Sequence, residues 1–330
     1  MTFLKNKTLL VTGGTGSFGK AFLKKIIKDY RDIKKLIIFS RDELKQFELS
    51  QKFDEKKYKF LRFFIGDIRD LQRLERALEG VDYVVHAAAL KQVVTSEYNP
   101  FETIKTNVIG AQNLIEACLN KSVKKVVALS TDKASSPINL YGATKLCSDK
   151  LFISANNIKG KRKLVFSVAR YGNVMGSRGS VIPIFNEQKK SQVLKITDQK
   201  MTRFSLPIEE SVELVLYALK NAIGGEIFVP KIPSFKVLDL AKAICKNCKI
   251  KIVGIRPGEK LHEELISSHD SFNTFDIGKY YIILDTSERS MKFYRKAKKV
   301  PKNFNYNSLT NTKYLNIKQL KNLLIKTKLV

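Results

Sequence analysis

Along the first half of the chain, short runs of β-branched and apolar residues alternate with longer stretches in which apolar positions recur every three or four residues. The short runs predict strands at Thr8–Thr12, Leu36–Phe39, Arg62–Ile65, Tyr83–His86, Lys125–Ser130 and Leu164–Val168. The longer stretches predict helices over Lys20–Lys28, Leu71–Leu78, Pro100–Leu119 and Asn139–Ala155. Strands that are apolar throughout are buried on both faces, and helices between them supply the cover. The pattern is that of a doubly wound α/β fold (Rossmann type) around a parallel sheet. After Gly172 the pattern loosens into a Gly, Ser and Arg stretch at Gly176–Gly179, a helix over Ile208–Ala222, a strand at Glu226–Val229, a helix near Leu238–Cys245 and a strand near Lys251–Ile255. With no internal repeat and no low-complexity linker, the expectation is a sheet domain over residues 1–172, completed by later segments, and a smaller C-terminal α/β lobe over residues 173–330.

Between the first strand and the first helix lies Gly13-Gly14-Thr15-Gly16-Ser17-Phe18-Gly19. A tight turn there lets the backbone approach a pyrophosphate, whose charge is met by free N–H groups at the helix N-terminus. Gly13, Thr15, Gly16, Ser17, Phe18 and Gly19 are therefore candidate dinucleotide ligands. The second strand runs into Ser40-Arg41-Asp42, where an NAD site usually carries a carboxylate for the ribose 2′-hydroxyl. Arg41, with Lys45 a turn later, suits a 2′-phosphate instead and favours NADP; in the alternative, Asp42 takes the carboxylate role. Asp67 and Ile68 after the third strand would border the adenine, and Ala87-Ala88-Ala89 after the fourth would leave room beside the ribose and nicotinamide.

Tyr141 and Lys145 share one face of a predicted helix. The spacing alone carries no weight, because it recurs at Tyr30/Lys34, Tyr294/Lys298 and Tyr314/Lys318. Only the 141/145 pair follows a core strand whose carboxyl end is where such sheets bind ligands. At that end stand Thr131-Asp132-Lys133, an acid and a base side by side. That is more than hydride transfer alone requires, although a helix cap at Asp132 and a surface charge at Lys133 would also account for them.

Taken together, Thr12-Gly13-x-x-Gly16-x-x-Gly19, Asp67, Ala87 to Ala89 and Tyr141-x-x-x-Lys145 resemble the extended short-chain dehydrogenase/reductases. Thr131-Asp132-Lys133, followed by Pro137-Ile138-Asn139-Leu140-Tyr141-Gly142-Ala143-Thr144-Lys145, resembles within them the inverting UDP-N-acetylglucosamine 4,6-dehydratases of the pseudaminic-acid type. Lys133 is the more specific mark, since other sugar-nucleotide dehydratases carry Glu there. The resemblance continues through Ser40–Gln46, Arg170–Val174, Gly176–Ser180 and Arg256–Glu263, and fades beyond Ser271. It departs at Gln92 and Val94, where His and Pro are expected, and at Ser205, where an aromatic is expected.

The resemblance implies a UDP-N-acetylglucosamine or related UDP-sugar substrate, NADP as cofactor and a homo-oligomer, a hexamer. Tyr141 would take the proton of the sugar C4 hydroxyl, its pKa lowered by Lys145 and the nicotinamide, with Thr131 hydrogen-bonded to the C4 oxygen. Lys133 would be the base at C5, which needs a depressed pKa, and protonated Asp132 would release the C6 hydroxyl as water. Arg178 and Arg256 would hold the diphosphate and Asn173 and Glu259 would contact the substrate. Lys91 would lie near the sugar and the cofactor, and Val174 near the cofactor. The nearest rival is a UDP-sugar 4-epimerase, which needs the Tyr/Lys pair but neither Asp132 nor Lys133.

Charge adds a rival of another class. The 330 residues include 60 Lys plus Arg against 31 Asp plus Glu, a net charge of +29, which taken alone suggests a nucleic-acid or anionic-surface binding module. Of the cations 47 are Lys and 13 Arg, and they are spread widely, with +11 beyond residue 278. Nucleic-acid sites favour clustered Arg, so most of these lysines read as solvated surface, and neither a nucleic-acid nor a membrane partner is expected. An apolar content of 44% supports a full core. Cys118, Cys147, Cys245 and Cys248 are few and fit a reducing compartment. Cys245-x-x-Cys248 lacks a second ligand pair among His86, His262 and His269, so no metal is expected. No apolar run reaches the ~18 residues of a membrane span, and Met1 to Thr12 lacks the layout of a signal peptide. The expected location is cytoplasmic.

Overall fold

A strand that is apolar on both faces has no side to offer water, and this places most of the early strands in the middle of the molecule. The computed structural model describes residues 2–177 and 179–329. Its first strands are β1 (Thr8–Thr12), β2 (Lys35–Ser40), β3 (Leu61–Ile65), β4 (Tyr83–His86), β5 (Lys125–Thr131) and β6 (Val165–Tyr171). They pair in parallel in the order β3-β2-β1-β4-β5-β6, the doubly wound arrangement that the sequence predicts. Between them run α1 (Ser17–Asp29), α2 (Glu43–Lys52), α3 (Leu71–Ala77), α4 (Val93–Tyr98), α5 (Pro100–Ile104), α6 (Gly110–Asn120) and α7 (Leu140–Ile158). Successive residues of β1 point to opposite faces. Leu9 and Val11 join Phe22, Leu23 and Ile26 of α1, whereas Leu10 joins Leu74, Leu114 and Phe152 from α3, α6 and α7.

The later chain forms α8 (Val181–Gln188), β7 (Val193–Ile196), β8 (Thr202–Phe204), α9 (Ile208–Asn221), β9 (Ile227–Pro230), β10 (Ser234–Lys236), α10 (Val237–Ile244), β11 (Lys249–Ile252), β12 (Glu264–Ile266), β13 (Thr274–Asp276), β14 (Tyr280–Ile283), β15 (Lys298–Lys299) and β16 (Tyr306–Asn307). It serves both lobes in turn. β9 pairs in parallel with β6, and β14, β13 and β15 continue antiparallel to a ten-stranded sheet. The outermost strand, β15, is two residues long, and both residues are exposed lysines. The second lobe is built around the short pairs β7/β11 and β8/β10, while the pair β12/β16 packs Leu265, Ile266 and Tyr306 into the core on the sheet. Its own core includes Met175, Ile182, Phe185, Leu194 and Leu240, closed by Leu320 and Leu324 of the helix Ile317–Lys326.

Three features differ from the sequence reading. The single helix expected over Pro100–Leu119 is α5, a π-helical turn at Lys105–Ile109, and α6. The wider turn carries Asn107 inward, where its amide donates to the Leu90 carbonyl at 2.8 Å and to Thr144 Oγ1 at 3.1 Å and its oxygen accepts the Leu90 N–H at 2.8 Å. Counting a 3.6-residue period cannot register one inserted residue. Second, α2, α8 and the sheet extension beyond residue 271 were not expected. Third, Cys245 and Cys248 are not two free thiols but a disulfide, because the turn from α10 into β11 brings their Cα atoms to 5.5 Å. Cys118 and Cys147 remain free thiols.

Helix α7 is tied to the sheet by a buried charge cluster. Arg170, in β6, lies 3.2 Å from Asp149 Oδ2 of α7 and 3.3 Å from Asp270 Oδ2, and Asp149 also accepts the Ser130 hydroxyl at 2.6 Å. Burial pushes the Asp149 carboxyl up, while Arg170 and Lys145 oppose the push. An Arg170→Leu variant leaves that carboxylate buried without its guanidinium, a change that costs about 3–5 kcal/mol. The expected outcome is a clear fall in the thermal unfolding midpoint; an unchanged midpoint would contradict this account of how α7 is held.

Candidate active site at the carboxyl end of the sheet

The carboxyl ends of β1, β2, β4, β5 and β6 open into one cavity of about 810 Å³, walled on the far side by the second lobe. At the end of β1 the chain turns through Gly13, whose φ is +65°; a Cβ there would lie 2.8 Å from the Ala88 N atom, so only glycine fits. The first turn of α1 follows Gly16, which supplies no side-chain cap, leaving the N–H groups of that turn available to an anion. Gly13, Thr15, Gly16, Ser17 and Phe18 line the cavity. Gly19 does not: it is buried against Gly14 behind the loop, so its contribution is close packing and not ligand contact.

Ser40, Arg41, Asp42, Lys45, Asp67 and Ile68 form one end of the cavity, and Ala87, Ala88 and Lys91 the edge beside it. The Arg41 side chain is 55% exposed, with Nη1 3.9 Å from Asp67 Oδ2. Lys45 turns its ammonium onto Asp42, which also caps α2 by accepting the Lys45 N–H at 3.0 Å. Burial works against the Asp67 carboxylate, yet hydrogen bonds from Arg69 hold it below the usual carboxylate range.

At the centre, β5 ends at Thr131 and the chain makes a single 3-10 turn, Asp132–Ala134. Thr131 Oγ1 donates to Asp132 Oδ1 at 2.9 Å, and Lys133 Nζ lies 3.1 Å from the same oxygen. Helix α7 rests directly on this turn. A Cβ on Gly142 would come 2.2 Å from the Lys133 carbonyl oxygen, and only glycine permits that approach. Asn139 caps α7 by accepting the Gly142 N–H at 2.8 Å and reaches the second lobe by donating to the Gly258 carbonyl at 2.7 Å. The first turns of α7 then present Tyr141 and Lys145, both buried, to the cavity that Thr131, Asp132 and Lys133 also line.

The second lobe contributes Asn173, Val174, Arg256 and Glu259 to the lining, and Arg178 lies outside the described residues. It also supplies groups that the sequence reading did not single out. Glu263 Oε1 is 3.0 Å from Lys133 Nζ and 3.6 Å from Arg203 Nε. Glu264 accepts the hydroxyls of Ser135 and Ser136 at 3.0 and 2.7 Å, and Lys260 Nζ donates to the Ser135 carbonyl at 2.7 Å. Two adjacent carboxylates in so basic a chain were the available signal. Of the three departures, Gln92 and Val94 line the cavity, whereas Ser205 is buried away from it and donates to Met175 Sδ.

Four buried acceptors that line this cavity, Asp132 Oδ2, Asn173 Oδ1, Glu259 Oε2 and Glu263 Oε2, have no hydrogen-bond partner among the described residues. Buried oxygens of this kind call for donors, such as hydroxyl and amide N–H groups, from a ligand.

The electrostatics correct two expectations. Burial disfavours the Lys133 ammonium, but the carboxylates of Asp132 and Glu263 outweigh it and hold the group above the usual lysine range, not below it. Tyr141 is not lowered by the chain's own groups: burial pushes it up to about 12, against the opposing effects of Lys133 and the Thr131 hydrogen bond. Lys145 is itself lowered by burial, with Asp149 opposing. Asp132 is pushed up by burial and by the charge of Glu263, which favours its protonated form.

A family model described as "Polysaccharide biosynthesis protein" matches residues 9–285. A Campylobacter jejuni protein named "UDP-N-acetylglucosamine 4,6-dehydratase (inverting)" is 51% identical over 324 residues, covering 95% of this chain and 96% of the relative. A Rickettsia typhi protein named "UDP-glucose 4-epimerase" is 46% identical over 331 residues, covering 97% and 96%. Among solved structures, that of Pen from Bacillus thuringiensis superposes with a TM-score of 0.91 at 39% identity, covering 100% of both chains. The chain belongs to the polysaccharide biosynthesis protein family of the extended short-chain dehydrogenase/reductases, together with the inverting UDP-N-acetylglucosamine 4,6-dehydratases that its motifs resemble.

Proposed function

We propose that this protein is a UDP-N-acetylglucosamine 4,6-dehydratase that inverts C5, uses NADP, and makes a UDP-4-keto-6-deoxy-N-acetylhexosamine for pseudaminic acid or a related surface-glycan sugar. The observation that carries the reading is that Thr131, Asp132 and Lys133, joined by short contacts, line one cavity with Tyr141 and the glycine loop. An epimerase needs only a tyrosine and lysine to oxidise and reduce C4. A buried acid and base in addition are what loss of water across C5 and C6 demands. The name carried by the Campylobacter relative supports the same substrate and stereochemistry.

The fit of a dinucleotide rests on the Gly13 cradle and the uncapped first turn of α1. When bound, the nicotinamide supplies reversible acceptance of hydride, so the reaction has no net redox change. The remaining work falls to the chain. Tyr141 takes the C4 hydroxyl proton, with Thr131 hydrogen-bonded to the developing carbonyl oxygen. A 4-ketone acidifies the C5 proton, which Lys133 removes as a neutral amine. Moving one proton from Lys133 Nζ to Asp132 across their 3.1 Å contact breaks an N–H bond, forms an O–H bond, and turns an ion pair into a neutral base and a neutral acid. Asp132 then protonates the departing C6 hydroxyl. Arg256 and Arg178 bind the diphosphate, while Asn173 and Glu259 offer acceptors to substrate hydroxyl and amide groups.

Incubation of the purified protein with UDP-N-acetylglucosamine in D₂O, followed by NMR, is expected to give a 4-keto-6-deoxy product with deuterium at C5 and inverted configuration. A product of unchanged mass would instead establish the epimerase reading that the Rickettsia relatives' name suggests. Lys133→Ala is expected to lose at least ~100-fold in dehydration rate. A near wild-type rate would remove Lys133 from the mechanism. Arg41→Ala is expected to weaken NADP about tenfold, ~1.4 kcal/mol, and to leave NAD affinity unchanged, as measured by titration of both dinucleotides. An equal effect on both would reassign Arg41 away from the 2′-phosphate.

A further inference from the structure

Lys133 is gripped by a carboxylate 130 residues further along the chain. Glu263 stands immediately ahead of β12, is 2% exposed, and is fixed through its backbone on both sides: its N–H donates to Ser308 Oγ at 2.9 Å and its carbonyl accepts the Ser308 N–H at 2.7 Å. Its side chain therefore has little freedom, and Oε1 meets Lys133 Nζ at 3.0 Å. The neighbouring Glu264 holds Ser135 and Ser136, so the turn that carries Asp132 and Lys133 is clamped from within and from outside by consecutive residues.

The charged groups that face Glu263 are few. The turn after β5 offers Asp132 and Lys133, β8 offers Arg203, which Glu259 shares, and the loop ahead of β12 offers Lys260. From the β16 side come only the uncharged hydroxyl and backbone of Ser308. Arg203 is largely committed elsewhere, since its guanidinium donates to the carbonyls of Thr202, Lys260 and Leu261. Lys133 Nζ is thus paired with two anions, Asp132 at 3.1 Å and Glu263 at 3.0 Å. A fixed negative charge at that point stabilises the ammonium that forms when Lys133 accepts a proton. It also opposes ionisation of Asp132, the group that must keep its proton to give it up.

We propose that Glu263 is a positioning residue of the dehydration step: from the start of β12 it fixes Lys133 Nζ at the cavity wall and supplies the negative charge that makes Lys133 the base and Asp132 the acid. The proposal rests on the dehydratase reading above. It involves no transfer to Glu263, which stays ionised throughout. When Lys133 takes the C5 proton, a C–H bond breaks, an N–H bond forms, and the new cation is balanced by the Glu263 carboxylate already in place.

The test is the pH dependence of kcat, and of deuterium incorporation at C5, in wild type, Glu263→Gln and Glu263→Asp. Removing the negative charge lowers the pKa of both neighbours. Both limbs of the bell-shaped profile should therefore move to lower pH in E263Q, by about one unit, while kcat falls about tenfold or more and KM changes little. Glu263→Asp keeps the charge, so its limbs should coincide with those of wild type even if the rate falls. Limbs of E263Q at the wild-type pH, whatever the rate, would overturn the proposal and leave Glu263 a structural residue. The proposal also fails if the limbs of E263D move as far as those of E263Q. Should E263Q unfold at the assay temperature, as a thermal scan reveals, the position of the E263D limbs alone decides. A wild-type enzyme that releases no 4-keto-6-deoxy product refutes the dehydratase reading itself, an outcome visible before any variant is measured.

Discussion

The structure turns on one constraint, that a lysine placed among buried carboxylates must be matched by them from more than one direction. Lys133 sits between Asp132, its neighbour in sequence, and Glu263, which arrives from 130 residues away. A buried charge that loses its partner is costly. The start of β12 cannot leave the turn after β5 without exposing or stranding such charges. The relation between the turn after β5 and the segment 258–264 is consequently fixed by the same groups that stand at the centre of the cavity, and Glu264, Lys260 and Asn139 add neutral and charged hydrogen bonds between them.

The sheet supplies the other half of the geometry. Because β5 and β6 are parallel and paired from Lys125 to Thr131, the acid–base turn and the Arg170 cluster emerge at the same end of the molecule as the glycine loop after β1. Helix α7 lies over that end, held by Arg170 and Asp149 on its underside and by contact of Gly142 with the Lys133 carbonyl. The π-helical turn at Lys105–Ile109 performs a similar task for the loop after β4, since Asn107 ties down Leu90. The end of β5, the short turn after it, the first turns of α7 and the start of β12 thus carry the groups at the cavity centre.

What the sequence made readable follows from the range over which each signal acts. The glycine loop, the apolar strands and the Tyr141/Lys145 spacing are local, so the sheet order and the cavity's cofactor-like end could be anticipated from short windows. Glu263 is a long-range partner: nothing within ten residues of Lys133 announces it, and only the fold brings β12 beneath the turn. The same is true of the pKa directions. The base role leads to the expectation of a lysine depressed by burial, whereas Asp132 together with the distant Glu263 outweighs burial and raises it. Polar helices such as α2, with no apolar stripe, and the strands beyond residue 271, too short to show a period, left no local trace. The disulfide between Cys245 and Cys248 depended on a turn geometry that a C-x-x-C spelling does not specify.

The short outer strand β15 has a consequence for how copies of this chain meet. Its two residues, Lys298 and Lys299, leave only a few backbone groups unpaired and surround them with positive charge. An identical strand brought alongside would meet like charge at every position and gain almost no ladder. That margin is therefore a terminus for sheet growth. Part of the chain's large cationic excess acts there as a barrier to strand addition.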